Sequence, residues 1–176
     1  MGDHGKTYRT YTPELVARMS ELVQVANVVT PNLTEAAILL QEPYPTAPMT
    51  AYQAKSWLVR QGELGPDYVV ITSMEMADGR LANVGYDKKR DAFWRVDCDY
   101  VPVSYPGTGD IFSSVVVGGL LGGDSLPIAM ERATRFLELA IKTTFSYGVD
   151  TRYGVMLEQS LPWLSQQHSL KDYQTL

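Results

Sequence analysis

Residues 68–72 read Tyr-Val-Val-Ile-Thr, and this short run decides the fold class. The run is apolar and rich in β-branched side chains, which is typical of a strand buried on both faces. A strand covered on both faces needs helices on each side of its sheet, and the flanking sequence supplies helical patterns. We therefore predict an α/β protein and read outward from this strand.

Helical and extended patterns alternate on the N-terminal side of the run. Thr12, Pro13 and Glu14 combine a capping hydroxyl, a first-turn proline and an acid near the positive end of the helix dipole, which marks a helix start. A short buried strand follows at 28–30, and a second helix is predicted over 34–40. A third helix begins near Thr50 and stops before Gly65-Pro66.

A hairpin and two further helices are predicted on the C-terminal side. Extended segments at 80–86 and 92–98 flank a charged turn at 87–91. One helix runs from a glycine turn near residue 107 to Gly122-Gly123, and a longer one runs from Ser125 to Gly148. The tail from Leu161 onward is polar, and we expect it to fray apart from Leu161 and Trp163.

This alternation predicts one domain over 1–176 with a three-layer αβα arrangement. Its sheet is expected to be mainly parallel, with helices on both faces and the hairpin as a flap. Ligands of such sheets bind beyond the carboxyl ends of the strands. Residues 30–32, 72–73 and 107–110 all follow predicted strands, so we expect three polar junctions on one rim.

Composition narrows the class of protein. The 176 residues are 45% hydrophobic, which favours a packed core, and the net charge of −5 argues against general nucleic-acid binding. A single cysteine, Cys98, excludes an intramolecular disulfide and favours a cytoplasmic setting. There is no apolar run of membrane-spanning length, so we expect no membrane partner. His4 and His168 are isolated from each other and from Cys98, so we expect no zinc site.

Gly107, Thr108, Gly109 and Asp110 form the stretch with most bearing on function. A glycine-containing turn that leads into an apolar helix presents bare backbone N–H groups, which attract anions. A carboxylate at the same place opposes that attraction, so its presence there indicates a function of its own, such as that of a base. A phosphate cradle with a base beside it is what phosphoryl transfer to a hydroxyl requires. An N-cap aspartate in a plain tight turn is the structural alternative.

Four motifs in order resemble the ribokinase superfamily, and most closely its pyridoxal/pyridoxamine (vitamin B6) kinases. They are Met1-Gly2-Asp3-x-Gly5, Thr30-Pro31-Asn32-Leu33-Thr34-Glu35, Ile71-Thr72-Ser73 and Gly107-Thr108-Gly109-Asp110. The ordered set is far more specific than any one motif. In that family an Asp-Pro-Val segment and a large N-terminal part come before Met-Gly-Asp. The resemblance therefore implies that this chain corresponds to the carboxyl-terminal, nucleotide-binding portion, and that most residues holding the vitamin ring lie outside it.

The resemblance implies roles for individual residues. Asp110 is expected to be the catalytic base that contacts the substrate hydroxyl, and Gly107, Thr108 and Gly109 the anion hole for the transferred phosphate. The nucleotide-binding residues expected from the same motifs and the adenine-side flap are Thr30, Asn32, Glu35, Thr72, Ser73, Arg95 and Val96. Thr72 and Ser73 are equally well explained as hydroxyls of a structural turn.

Asn32 and Glu35, with Asp3 beside them, are expected from the resemblance to organise Mg²⁺ through water. Their spacing taken alone favours a capping box at a helix start, so this role depends on the resemblance. The implied cofactors are ATP, Mg²⁺ and often a monovalent cation such as K⁺. A homodimer is the implied assembly, and we also expect the isolated chain to dimerise or aggregate through bared apolar surface.

The resulting functional hypothesis is ATP-dependent phosphorylation of the 5′-hydroxymethyl group of pyridoxal, pyridoxamine or pyridoxine. Two alternatives stay open at the level of sequence. One is a hydroxymethylpyrimidine (phosphate) kinase of the same superfamily, which shares the glycine turn and the chemistry. The other is an inactive nucleotide-binding fragment.

Overall fold

A computed structural model describes residues 1–3 and 5–176 of the chain. His4, which the sequence analysis considers as a zinc ligand, lies outside the described residues. The described residues form two compact units, one of Met1–Arg95 with Gln174–Leu176 and one of Val96–Tyr173. The boundary between the units falls inside a strand, between Arg95 and Val96.

Strands and helices alternate along the chain as the sequence predicts. The strands are β1 (Gly2–Asp3), β2 (Lys6–Thr7), β3 (Val28–Val29), β4 (Tyr68–Glu75), β5 (Leu81–Asp87), β6 (Ala92–Cys98) and β7 (Tyr173–Thr175). The α-helices are α1 (Pro13–Val25), α2 (Leu33–Leu40), α3 (Ala51–Glu63), α4 (Thr108–Leu121), α5 (Leu126–Ser146) and α6 (Leu157–Ser160). Two 3₁₀ turns, Thr151–Tyr153 and Leu161–Ser165, flank α6.

The first three helices begin where their capping residues predict. The hydroxyl of Thr12 accepts a hydrogen bond from the Leu15 N–H at 3.3 Å, and Pro13 occupies the first turn of α1. Thr50 and Gln53 form a capping box at the start of α3. These bonds satisfy N–H groups that a helix start would otherwise leave without partners.

The sheet of the first unit has the strand order β3-β4-β5-β6-β7. β3 and β4 are parallel, as predicted, and β4 and β5 are antiparallel. The predicted hairpin is present as β5 and β6, but its strands continue this sheet instead of forming a separate flap. The direct connection from β4 to β5 is too short for a crossover, so the two strands must run in opposite directions. The α/β class predicted from the sequence is confirmed.

The core of the first unit lies where α2 and α3 pack on β4 and β5. Its central side chains are fully buried and include Leu58 of α3, Ile71 and Met74 of β4, and Val84 of β5. This apolar cluster fixes the carboxyl end of β4 and the start of α2 within one unit.

The core of the second unit is centred on the packing of α4 against α5. A Cβ atom on Gly119 would lie 3.1 Å from the Cβ of Ala129, so the glycine permits a close approach of the two helices. Phe136 and Met130 of α5 are buried beside this contact. The long apolar stripe of α5 therefore holds α4 in place.

The expectation that the tail frays is wrong. The buried carboxylate of Glu131 accepts hydrogen bonds from the backbone N–H groups of Lys171 and Asp172, both at 3.0 Å. His168 stacks on Trp163 with 3.7 Å between ring centroids. β7 then joins the sheet, and the Leu176 N–H donates to the carbonyl oxygen of Phe93 at 3.2 Å. Local composition is polar here, but contacts with distant residues order the segment.

The helices considered for membrane insertion are those of residues 1–3 and 5–176. None of them is both long enough and apolar enough to cross a bilayer.

Candidate functional site

The N-terminus of α4 is built from the glycine turn. Gly107 adopts a left-handed conformation with φ of 84°, which a glycine accepts without the strain that a side chain would add. The first hydrogen bond of the helix runs from the Ile111 N–H to the Gly107 carbonyl oxygen at 3.1 Å. Within the described residues, no side chain caps this helix start. The N–H groups of its first turn are therefore presented as donors.

The Thr108 side chain leaves the N–H groups of the helix start uncapped. The Thr108 hydroxyl donates to the Tyr105 carbonyl oxygen at 3.1 Å, so it fixes the turn and does not cap the helix. A Cβ atom on Gly109 would meet no atom within 4 Å, so the space beside this residue is open. A turn with open space above bare N–H groups can receive a phosphate.

Asp110 lies at the third position of α4, and its residue surface is exposed. Its backbone carbonyl oxygen accepts a hydrogen bond from the Ser114 hydroxyl at 2.7 Å, which belongs to the helix and not to the carboxylate. The carboxylate does not cap its own helix, contrary to the structural alternative of an N-cap aspartate. An exposed carboxylate beside bare N–H groups is placed to meet a hydroxyl and a phosphate together.

The start of α2 in the first unit is organised differently. Asn32 Oδ1 accepts from the Glu35 N–H at 2.9 Å, and Glu35 Oε2 accepts from the Asn32 N–H at 3.0 Å. This is the reciprocal capping box that the spacing predicts. Both side chains thus have a structural role in the chain itself.

The N-terminal loop lies against this helix start. Asn32 Nδ2 donates to the Gly2 carbonyl oxygen at 2.8 Å, and the Gly5 N–H donates to Thr34 Oγ1 at 2.9 Å. The Met1 nitrogen contacts Glu35 Oε1. These bonds place Asp3, which is exposed at the end of β1, beside the start of α2. Two of the sequence motifs therefore meet in space although some thirty residues separate them.

Thr72 and Ser73 lie within β4, which continues to Glu75, and do not follow a strand as the sequence predicts. Thr72 is next to the same helix start. Asn32 and Thr72 form a parallel bridge, and the Thr72 N–H donates to the Pro31 carbonyl oxygen at 2.9 Å. Thr30, half-buried, follows β3 directly and leads into this contact. The structure therefore brings Asp3, Asn32, Glu35 and Thr72 to one edge of the first unit.

A β-bulge interrupts β4 between Ile71 and Met74. Ile71 pairs with Val84 and Met74 pairs with Ala82, so Thr72 and Ser73 together face the single residue Asn83. Ser73 has a φ of 55°, in the left-handed region that non-glycine residues rarely adopt. The bulge turns the exposed Ser73 away from the regular pleat of the strand.

The flap residues Arg95 and Val96 have firm structural partners. The Arg95 guanidinium lies 2.8 Å from Asp78 Oδ2, and its hydrogen bond lowers the pKa of the Asp78 carboxyl. Val96 is fully buried. A nucleotide contact from Val96 would have to use backbone atoms, whereas Arg95 would have to share its guanidinium with Asp78.

The fit to a magnesium ion can be judged from the oxygen atoms of the first unit. Both carboxylate oxygens of Glu35 already accept one hydrogen bond each, and its side chain is 23% exposed. Among residues 1–3 and 5–176, no cluster of three His, Cys, Asp or Glu side chains is arranged to hold a metal. A Mg²⁺ ion at this place would therefore have to be held mainly by phosphates, with Glu35 and Asp3 acting through water.

Similarity to known proteins identifies the family of the chain. Residues 5–155 match the phosphomethylpyrimidine kinase family. The chain belongs to that family. No curated protein matches this family member in sequence.

Solved structures of related kinases share its fold. A Bacteroides thetaiotaomicron protein described as a candidate phosphomethylpyrimidine kinase is 39% identical with a TM-score of 0.94, over 99% of this chain and 60% of that one. A second crystal form of it, with pyridoxal, aligns over 62% of its chain, again with a TM-score of 0.94. Pyridoxal kinase from Leishmania donovani, solved with ADP and pyridoxamine, is 27% identical with a TM-score of 0.80, over 100% of this chain and 58% of that one.

These matches confirm the predicted ribokinase-like fold and superfamily. The chain spans about 60% of the length of the solved B. thetaiotaomicron relative. The remaining length of that relative has no counterpart in the 176 residues.

Two residues with clear structural roles were missed by the sequence interpretation. Asn83, only 5% exposed, faces the β4 bulge, and Glu131, 1% exposed, anchors the tail. The available signal was a polar residue inside an otherwise apolar pattern, Ala82-Asn83-Val84 in one case and the apolar stripe of α5 in the other. A buried polar group without a local partner implies a distant one.

Proposed function

We propose that this chain is the nucleotide-binding and catalytic-base portion of a kinase that phosphorylates the 5′-hydroxymethyl group of a vitamin B6 compound. The observation that carries the proposal is the start of α4, an uncapped helix N-terminus with open space above Gly109 and an exposed carboxylate at Asp110. Two of the solved relatives were crystallised with pyridoxal or pyridoxamine, which supports vitamin B6 compounds as the substrate class.

In this proposal the roles of the residues follow from charge. The N–H groups of Gly107, Thr108 and Gly109 donate to the oxygens of the transferred phosphoryl group, where negative charge must be stabilised. The Asp110 carboxylate orients the acceptor hydroxyl and takes its proton as the new O–P bond forms. The bond from the γ-phosphorus to the β-phosphate oxygen breaks, and ADP leaves.

Residues of the first unit are assigned to nucleotide binding in this proposal. The hydroxyls of Ser73, an exposed residue, and Thr72, a half-buried one, hydrogen-bond the nucleotide at the bulge of β4, with Thr30 and Asn32 beside them. A bound Mg²⁺ would neutralise phosphate charge, and Glu35 and Asp3 would hold its water ligands. Replacing Glu35 by Gln removes one negative charge, so the Mg²⁺ concentration needed for half-maximal turnover is expected to rise. An unchanged Mg²⁺ requirement contradicts the metal role of Glu35.

A second candidate function is phosphorylation of hydroxymethylpyrimidine or its phosphate. The observation that favours it is the family match itself, which covers residues 5–155 and carries that name. Both candidates use the same glycine turn and the same base, so they differ only in the acceptor.

Parallel assays separate the candidates. The chain is titrated calorimetrically with ADP and ATP in the presence of Mg²⁺, and turnover is then measured with pyridoxal, pyridoxamine and hydroxymethylpyrimidine. Phosphorylation of a B6 compound at the highest kcat/KM supports the first candidate, whereas preference for the pyrimidine supports the second. Nucleotide binding without any turnover leaves a nucleotide-binding function only. Absence of nucleotide binding overturns the proposal.

A further inference from the structure

Asn83 occupies an unusual position on β5. Its neighbours along the strand, Ala82 and Val84, are fully buried apolar residues that pair with Met74 and Ile71 of β4. Asn83 itself is 5% exposed, so its side-chain amide has been withdrawn from water. A buried amide needs hydrogen-bond partners, because an unsatisfied polar group in a core is costly.

The partner of Asn83 Oδ1 is the backbone of the bulge. The Ser73 N–H donates to this oxygen at 3.0 Å. In a regular antiparallel ladder such an N–H would bond to a backbone carbonyl of the neighbouring strand, but the extra residue in β4 disrupts that ladder. The Asn83 side chain therefore replaces a ladder bond at the point where the register shifts between Ile71 and Met74.

The same bond fixes an unfavourable backbone conformation. Ser73 has a φ of 55°, and an L-residue adopts this conformation only when its surroundings hold it there. Asn83 holds the amide of Ser73 on the buried side, while the Ser73 side chain remains exposed. The Thr72 N–H is held from the opposite side by the Pro31 carbonyl oxygen.

We infer that Asn83 is a positioning residue for nucleotide binding: it locks the Thr72-Ser73 bulge so that the Ser73 hydroxyl is presented to the nucleotide. This inference rests on the proposed function, since it assigns to the bulge the nucleotide contact proposed above. Asn83 lies outside the four sequence motifs. It acts through Ser73 and does not touch the ligand.

The test compares Asn83→Leu, which keeps the size of the side chain but removes the acceptor, with Asn83→Asp, which keeps an acceptor oxygen. Binding of Mg-ATP is measured by calorimetry, well below the unfolding temperature of each variant. Loss of one positioned hydrogen bond is expected to weaken Mg-ATP binding about tenfold in Asn83→Leu, with partial or full recovery in Asn83→Asp. Val84→Ala is the matched control, because it damages the same strand without touching Ser73 and is expected to leave the affinity unchanged.

A double-mutant cycle with Ser73→Ala tests whether Asn83 acts through Ser73. If it does, Asn83→Leu has little further effect once the Ser73 hydroxyl is absent, so the two effects on affinity are not additive. Additive effects, an unchanged affinity in Asn83→Leu, or an equal loss in Val84→Ala overturns the inference.

Amide hydrogen exchange at Ser73 provides a readout that needs no nucleotide. The Ser73 amide is expected to be protected in the wild-type chain and to exchange at least about tenfold faster in Asn83→Leu. Equal exchange rates overturn the claim that Asn83 locks the bulge. If the wild-type chain binds no Mg-ATP, the proposed function fails, whereas the exchange rates still decide whether Asn83 fixes Ser73.

Discussion

Helices α2 and α4 both begin at motifs that resemble an active site, yet their first turns are built in opposite ways. At α2, Asn32 and Glu35 satisfy each other's N–H groups in a capping box, and Gly2 accepts a further bond from Asn32. At α4, Gly107 turns the chain in the left-handed conformation and no described side chain caps the helix. A satisfied helix start stabilises the fold, whereas an open one keeps its donors for a ligand.

This difference indicates that a helix-start motif can serve either ligand binding or the stability of the fold. Substitutions at α4 should change ligand binding and chemistry while leaving stability almost intact. Substitutions at α2 should first change stability, because its polar groups are already committed to the fold. The experiments below test this separation, beginning with the largest expected effect.

Asp110→Asn at α4 should have the largest effect. Removing a general base lowers turnover by about 10²- to 10⁴-fold, so kcat should fall by at least about 100-fold. Nucleotide affinity should stay within a few-fold, since the backbone donors remain. Asp150→Asn, an exposed aspartate elsewhere in the second unit that pairs with Arg152, is the control and should retain full activity. Equal turnover in Asp110→Asn and wild type would remove Asp110 from the mechanism.

Gly109→Val should weaken nucleotide binding by about tenfold, as expected when access to one or two donated hydrogen bonds is blocked. A Cβ atom at Gly109 meets no atom within 4 Å, so the fold tolerates the side chain while the approach of a phosphate is crowded. Gly118→Val in the same helix also meets open space and is the matched control. Calorimetric titration of both variants with Mg-ATP, which carries the phosphoryl group that the turn is proposed to hold, measures the effect, and equal affinities would contradict an anion site at this turn.

Asn32→Ala at α2 should lower the free energy of unfolding by about 1 kcal/mol, the usual loss on removing an N-cap side chain. Thr50→Ala removes the equivalent cap of α3, at a residue with no proposed role in nucleotide binding, and should cost a similar amount. Urea denaturation of both variants gives the two values. If Asn32→Ala leaves stability unchanged but abolishes nucleotide binding, the contrast between α2 and α4 disappears.

The smallest effect is expected at α1, a third helix start, through pH. The pKa of Glu14 is lowered by its own backbone N–H and by the Thr12 side chain. A carboxyl whose folded pKa lies below its unfolded value stabilises the fold above that unfolded value, and the contribution is lost as the pH falls through the folded pKa. NMR titration of Glu14 should therefore give a midpoint below 4.5, its ordinary value. A midpoint at or above 4.5 would show that the first turn of α1 does not attract a negative charge.

Much of this protein could be predicted from local sequence, because helix starts depend on neighbouring residues. Thr12, Asn32 and Thr50 each accept a hydrogen bond from an N–H three residues ahead, and each helix begins within one residue of its predicted start. The glycine turn was predictable for the same reason, since a left-handed residue before an apolar helix needs only Gly107 and the residues that follow it. The buried strand at 68–72 likewise determined the α/β class.

Tertiary structure decided the features that join distant residues. The bulge in β4 depends on Asn83, ten residues further on, and the tail depends on Glu131, some forty residues before it. The meeting of Gly2 with Asn32 is of the same kind. No local pattern contains both partners of such a bond, and the gain from each bond arises only after the chain has closed the intervening loop. Sequence therefore determined which residues are proposed to carry the chemistry of this protein, whereas tertiary contacts decided how the residues of the first unit are held.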